Sequence, residues 1–134
     1  MTRVLFVCVG NTGRSMMAER LFREKAGERH EARSAGVVPG IAPEPTVLEA
    51  LRELGVDASD HVPKRLDDDA IVWAEVVVET CNVGCTVVSG KRYEQWNIED
   101  PHGRPLEEVR AIRDQIANRV GALATELQSP NPGG

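Results

Sequence analysis

The segment Val4-Leu5-Phe6-Val7-Cys8-Val9 is a near-continuous apolar run that stops abruptly at Gly10-Asn11-Thr12-Gly13. A run without polar alternation has no solvent face to offer, so it reads as a central parallel strand covered on both sides. That reading constrains everything after it, because parallel neighbours must be reached through crossover helices. The remaining sequence supplies both. Ser15 to Arg29 reads as a helix that turns Met17, Leu21, Phe22 and Ala26 to a core. Ala32 to Val37 is a second strand, and the Pro/Gly-rich stretch from Pro39 to Pro45 a loop. Thr46 to Leu54 is helical, with Val47, Leu48, Leu51 and Leu54 on one side and Gly55 as its stop. Asp67 to Trp73 reads as a short helix, Val76-Val77-Val78 as a third strand and Tyr93 to Ile98 as a fourth. Leu106 to Leu127 carries Val109, Ile112, Ile116, Val120 and Leu123 at intervals of three or four, the pattern of a long amphipathic helix. The fold class is α/β: one three-layer domain over residues 1–128, a four-stranded parallel sheet flanked by helices. The polar, Pro/Gly-rich end at 129–134 is expected to be disordered.

A chain of 134 residues buries enough surface to fold without covalent staples. Its 41% hydrophobic and 28% charged content excludes disordered and fibrous classes. With 16 Lys+Arg against 21 Asp+Glu the net charge is −5, which argues against nucleic-acid and membrane partners while leaving room for a local basic pocket. The opening apolar run is too short for a secretion signal or a membrane span, so the expected location is cytoplasmic. Three cysteines in such a chain do not describe a disulfide framework. They point instead to a nucleophile, a redox pair or a metal site.

In an open parallel sheet, ligands bind beyond the carboxyl ends of the strands. Two cysteine-bearing segments fall there. The first, Cys8-Val9-Gly10-Asn11-Thr12-Gly13-Arg14-Ser15, joins a strand to a helix. Gly10, Gly13 and Asn11 tolerate left-handed backbone, so consecutive amide N–H groups can turn inward as an anion nest, reinforced by the helix start. Arg14 offers a bidentate fork for a tetrahedral oxyanion. The same dipoles favour the thiolate form of Cys8, which makes it a nucleophile inside its own oxyanion cradle. A Walker loop is excluded, because no Gly-x4-Gly-Lys-[Ser/Thr] is present.

The second segment, Glu79-Thr80-Cys81-Asn82-Val83-Gly84-Cys85, follows the third strand. Four residues apart, Cys81 and Cys85 are within bridging reach if the segment is helical, and Gly84 eases its unwinding. A redox pair is the favoured reading. Zinc is the competitor, although its usual spacing is Cys-x2-Cys, and two unrelated buried thiols is the plain alternative. A third constellation is Asp100-Pro101-His102, ahead of the last helix, where Asp100 could protonate a leaving oxygen.

Together these residues resemble the thioredoxin-coupled arsenate reductases of the low-molecular-weight protein tyrosine phosphatase family. The resemblance runs from Val4 to about Leu127. It rests on Cys8 with its preceding strand, Asn11, Gly13-Arg14-Ser15, Met17-Ala18-Glu19, Ser34-Ala35-Gly36, Pro63-Lys64, Cys81-x3-Cys85, Gly90-Lys91-Arg92-Tyr93, Trp96 and Asp100-Pro101. It implies that Cys8 attacks arsenate held by Arg14 and the amides of Val9, Gly10, Asn11, Thr12, Gly13 and Ser15, with Asp100 assisting the leaving hydroxyl. It further implies that Ser15 stabilises the thiolate and Asn11 braces the loop. Cys81 then attacks Cys8 and releases arsenite, and Cys85 finishes a Cys81–Cys85 disulfide that thioredoxin, or a low-molecular-weight thiol, reduces. No organic cofactor is implied, since one thiol–disulfide conversion supplies the two electrons. Some family members bind potassium near positions matching Asn11, Glu19 and Ser34. Here Lys64 or Arg65 is expected to supply that charge, and no metal is expected.

Two other functions use the same loop: a phosphatase with idle distal cysteines, or a non-catalytic oxyanion-binding redox sensor. Phosphatases of this family usually carry tyrosines beside the Asp-Pro, whereas this chain has the single tyrosine Tyr93, and His102 follows Pro101. Of the smaller features, His30, His61 and His102 read as surface or turn residues. Asp67-Asp68-Asp69 reads as a helix N-terminal cluster, and Trp73 and Trp96 as core or pocket walls. Glu107, Glu108, Arg110, Arg113 and Asp114 read as the solvated face of the last helix.

Overall fold

The computed structural model describes residues 1–81 and 91–128. In chain order the elements are β1 (Arg3–Cys8), α1 (Arg14–Ala26), a single 3-10 turn (Gly27–Arg29), β2 (Glu31–Gly36), α2 (Pro45–Arg52), α3 (Asp68–Trp73), β3 (Val76–Glu79), β4 (Arg92–Gln95) and α4 (Leu106–Gln128). The four strands form one parallel sheet in the order β2-β1-β3-β4. The chain leaves β1 toward β2 on one side and later returns to β3 on the other. The strand order therefore reverses between β1 and β3, and a crevice opens at their carboxyl ends.

The two faces of β1 explain its unbroken apolar sequence. Val4 and Phe6, with Val76 and Val78 of β3, pack under α1, α2 and α4 in the larger core. Leu5 and Val7, with Val77 and Ala35, pack on the opposite face against Ala70, Trp73 and Ala74. Phe6 joins the layers of the larger core, its ring 5.7 Å from that of Phe22 and 5.8 Å from that of Trp96. Each such fully buried side chain contributes about 1.5–3 kcal/mol of transfer free energy.

Most expected core positions of the helices are inside, including Met17, Leu21 and Phe22 of α1 and Val109 through Leu123 of α4. Two differ. Leu54 lies beyond the end of α2 and is exposed. Arg113, expected on the solvated face of α4, is buried: its guanidinium donates to the Ala50 carbonyl at 2.9 Å and pairs with Glu53 at 2.7 Å. Its long stem crosses to α2 while its charge stays paired, a geometry that periodicity alone does not reveal. Asp67 does cap α3, its side chain accepting the Ala70 N–H at 2.8 Å. No helix among the described residues is long and apolar enough to cross a membrane.

Gly36, at the end of β2, is where the frame touches the loop after β1. A methyl group there would sit 2.7 Å from the Val9 carbonyl oxygen and 3.0 Å from both Asn11 N and Gly10 C, all backbone atoms. Gly36→Ala is therefore expected to destabilise the fold by about 1–3 kcal/mol, as overpacking does, read as a lower urea midpoint. An unchanged midpoint would mean that this contact is slack.

Candidate active site

The loop from Val9 to Gly13 is held from outside by its own carbonyls. The carbonyls of Cys8, Val9, Gly10 and Thr12 accept the N–H groups of Val37, Val38, Gly40 and Glu44 at 3.1, 2.8, 2.9 and 3.1 Å. In a trans peptide the N–H points opposite its carbonyl, so the amides of Val9, Gly10, Asn11 and Gly13 are turned away from the 37–44 segment. One of them shows where that leads: Asn11 N–H donates to the Cys8 sulfur at 3.2 Å. The backbone of the loop differs from the one the sequence suggested. Only Asn11 is left-handed, at φ 57°; Gly10 and Gly13 are not. Gly13 packs closely, since a Cβ there would stand 3.0 Å from Pro101 Cγ and push that ring back.

Asn11 is the hub behind the pocket. Its Nδ2 donates to the Ser15 hydroxyl at 2.8 Å, and its Oδ1 accepts the Lys64 N–H at 2.9 Å. Because the Ser15 oxygen already accepts from Asn11, its own hydrogen is free to be donated to the Cys8 sulfur, 2.9 Å away. Cys8 is a free thiol and nearly buried, and Asn11 and Ser15 are completely so. Ser15 and Asn11 therefore stand behind the nucleophile with their side chains out of the pocket wall, bracing the sulfur rather than lining the cavity.

His61 is the residue that sequence reading missed. It is buried, with Nε2 2.8 Å from the Asn11 carbonyl oxygen, which can only accept. The imidazole proton therefore sits on Nε2, and Nδ1 is buried without a partner. Burial holds His61 below the ordinary imidazole value, so the ring is neutral and pins the left-handed Asn11. A histidine with no partner nearby in sequence gives no sign of this, because the contact spans 50 residues.

The buried Glu19 bears on the expected cation. Its carboxylate accepts the Ser34 hydroxyl and pairs with Arg23, one helical turn on. The positive charge thus comes from Arg23, not from Lys64 or Arg65; Lys64 Nζ instead donates to the Val62 carbonyl at 3.1 Å. Glu19 is thus engaged by Ser34 and Arg23, and Asn11 Oδ1 by the Lys64 N–H.

On the open side, a cavity of about 190 Å³ is walled by Cys8, Arg14 and the loop between them, with Asp100, Pro101, Glu44 and His102 at its mouth. Arg14 is mostly buried and donates from Nη1 to the Ile98 carbonyl at 3.1 Å, which ties the anion loop to the segment that carries Asp100. Asp100 is exposed to the cavity, and its Oδ1 accepts the His102 N–H at 3.0 Å. Tyr93 is elsewhere, its hydroxyl donating to the buried Glu79 carboxylate; burial first, then that bond, pushes the phenol up to about 12. Cys81 follows the adjacent strand, β3. Thr80 N–H donates to the Val7 carbonyl at 2.7 Å, so Cys8 and Cys81 each follow a directly tied pair of residues at adjacent strand ends. Cys81 is fully buried and disulfide-bonded. Cys85, the expected helical or unwound course from Cys81 to Gly90, and the expected disordered tail lie outside the described residues.

A family model described as low molecular weight phosphotyrosine protein phosphatase matches residues 3–131. The chain belongs to this family. Among its relatives, arsenate reductase 2 of Staphylococcus saprophyticus is 32% identical over 122 residues, covering 87% of this chain and 92% of that protein. Among solved structures, the thioredoxin-dependent arsenate reductase of Corynebacterium glutamicum superposes with a TM-score of 0.81 at 38% identity, over 96% of this chain. This chain spans 62% of the length of that one. The low molecular weight protein tyrosine phosphatase of T. tengcongensis superposes at 0.85 with 32% identity, covering 94% of this chain and 99% of that one. The family thus holds reductases and phosphatases on one frame, and what separates them has to be sought in the site itself.

Proposed function

We propose that this protein is a cytoplasmic arsenate reductase that works by a three-cysteine relay. The carrying observation is the contrast between a free Cys8 inside the anion loop and a disulfide-bonded Cys81 at the end of the adjacent strand. A phosphatase needs the first and has no use for the second. The likeness to arsenate reductases of Staphylococcus and Corynebacterium supports the same reading.

In this mechanism the Cys8 thiolate, stabilised by Asn11 N–H and the Ser15 hydroxyl, attacks arsenic. Arg14 and the inward amides hold the oxyanion. Asp100 gives its proton to the departing hydroxyl, which leaves as water. Cys81 then attacks the Cys8 sulfur; the sulfur–arsenic bond breaks, arsenic keeps the electron pair, and arsenite departs. Cys85 attacks Cys81, which frees Cys8 and leaves a Cys81–Cys85 disulfide. A thioredoxin or a low-molecular-weight thiol returns that disulfide to the dithiol, with no organic cofactor or metal taking part.

The test is steady-state oxidation of a thioredoxin system with arsenate, measured beside aryl phosphate hydrolysis. Arsenate-dependent turnover with slow hydrolysis is expected. Fast hydrolysis without arsenate-dependent oxidation would make the protein a phosphatase, and neither activity would leave an oxyanion-binding sensor.

A further inference from the structure

The mouth of the anion cavity carries a charge that an oxyanion should avoid. Glu44 stands beside the loop, its N–H donating to the Thr12 carbonyl at 3.1 Å, and it lines the same cavity as Cys8 and Arg14. Across the mouth, His102 reaches from the Asp100 loop, and its Nδ1 meets the Glu44 carboxylate. The pair joins two separate elements, 58 residues apart in sequence. The His102 side chain is 78% exposed and that of Glu44 20%, so the pair runs from the solvent edge into the wall of the cavity. The other charged or titratable groups that face this mouth are Cys8 and Arg14 from the anion loop and Asp100 from the loop of His102 itself.

We propose that His102 and Glu44 form a charge screen for the oxyanion site: protonated His102 cancels the Glu44 carboxylate and admits a dianion, whereas neutral His102 leaves that carboxylate facing it. The proposal rests on the oxyanion-site reading above and adds two residues that set how tightly the site binds as pH changes. The Glu44 bond, with Asp100 adding attraction, raises His102 above the ordinary imidazole value. The screen is therefore in place below that raised value and is lost as pH rises through it. A free carboxylate several ångströms from a bound dianion, at a partly wet mouth, weakens binding by roughly threefold to tenfold.

The two partners make opposite predictions, which a merely structural contact would not. Glu44→Gln removes the repelling charge and should hold the low-pH affinity up to high pH. His102→Gln leaves the charge permanently bare and should show the weak affinity at every pH. The probe is inorganic sulfate, which stays dianionic throughout, titrated calorimetrically from pH 5.5 to 9 at constant ionic strength. The protein is the full chain carrying Cys8→Ser, so that no thiolate titrates in the cavity. In that background sulfate affinity is expected to fall several-fold as pH rises, to stay high with Glu44→Gln and to be uniformly weak with His102→Gln. Equal weakening by both substitutions, or a pH slope that neither alters, overturns the screen while leaving the site. Sulfate binding that is absent, or indifferent to Arg14→Ala, overturns the oxyanion site and the screen together.

Discussion

Cys81→Ser is expected to abolish arsenate turnover altogether, while Cys85→Ser completes one cycle and stops. The difference follows from the order of access. Cys81 is fully buried at the end of β3, next to the strand end that carries Cys8, and in the proposed relay it is the sulfur that, once reduced, attacks an arsenic-bearing Cys8. Without it the adduct on Cys8 has no internal electron donor, and no arsenite appears. With Cys81 present and Cys85 replaced, one equivalent of arsenite is released and the protein halts as a Cys8–Cys81 disulfide. Peptide mapping after a single turnover distinguishes the two. Both variants should still hydrolyse an aryl phosphate, because that reaction needs only Cys8, Arg14 and an acid such as Asp100. A normal multiple-turnover rate with thioredoxin in Cys85→Ser would remove Cys85 from the scheme and leave two thiols with an external reductant.

Arg14→Lys is expected to cost kcat/KM about 10²- to 10³-fold for arsenate, or about 2.7–4 kcal/mol of transition-state stabilisation. Charge is conserved in this change, so the loss measures geometry. Arg14 is held by the Ile98 carbonyl at 3.1 Å, and its guanidinium presents the remaining N–H groups to the cavity as a planar fork. A lysine ammonium is a single point that can satisfy either Ile98 or the oxyanion. It also releases the tie between the anion loop and the segment leading to Asp100. A loss under fivefold in Arg14→Lys, with a much larger one in Arg14→Ala, would show that charge alone does the work.

These results would bear on a family that includes reductases and phosphatases of nearly the same shape. The frame supplies an anion loop in both. In the reading proposed for this chain, what decides between them stands beyond the loop: Cys81 after β3, and the residue that follows Asp100-Pro101. In this chain that residue is His102, whose ring meets Glu44 across the mouth, so the approach to Cys8 is polar and narrow. A tetrahedral oxyanion suits such an opening better than an aryl ester.

Much of this was legible without coordinates, because it depends on local order along the chain. An apolar run too continuous for a half-exposed strand placed β1 in the centre of the sheet. The break at Gly10-Asn11-Thr12-Gly13 placed a strand-to-helix loop directly after it, with Cys8, Arg14 and Ser15 at fixed offsets. Parallel pairing then required the later strand ends to open on the same side, which brought Cys81 and Asp100 into consideration. All of these follow from periodicity, steric rules and short spacing, which neighbouring residues decide among themselves.

What the sequence could not decide are the contacts made across long separations by side chains with no periodic signature. His61 reads as a turn residue until its ring is found against the Asn11 carbonyl. Arg113 reads as solvated until its guanidinium is seen reaching Ala50 and Glu53. The charge beside Glu19 comes from Arg23 within the same helix, where Lys64 or Arg65 was the expectation. Glu44 and His102 are unremarkable surface types until tertiary packing sets them face to face over the anion cavity. A buried or paired polar group is determined by what the rest of the fold brings to it, and composition does not encode that partner. The nucleophile and its cradle were written in consecutive residues; the groups that brace the cradle and screen its mouth were chosen only when the chain closed on itself.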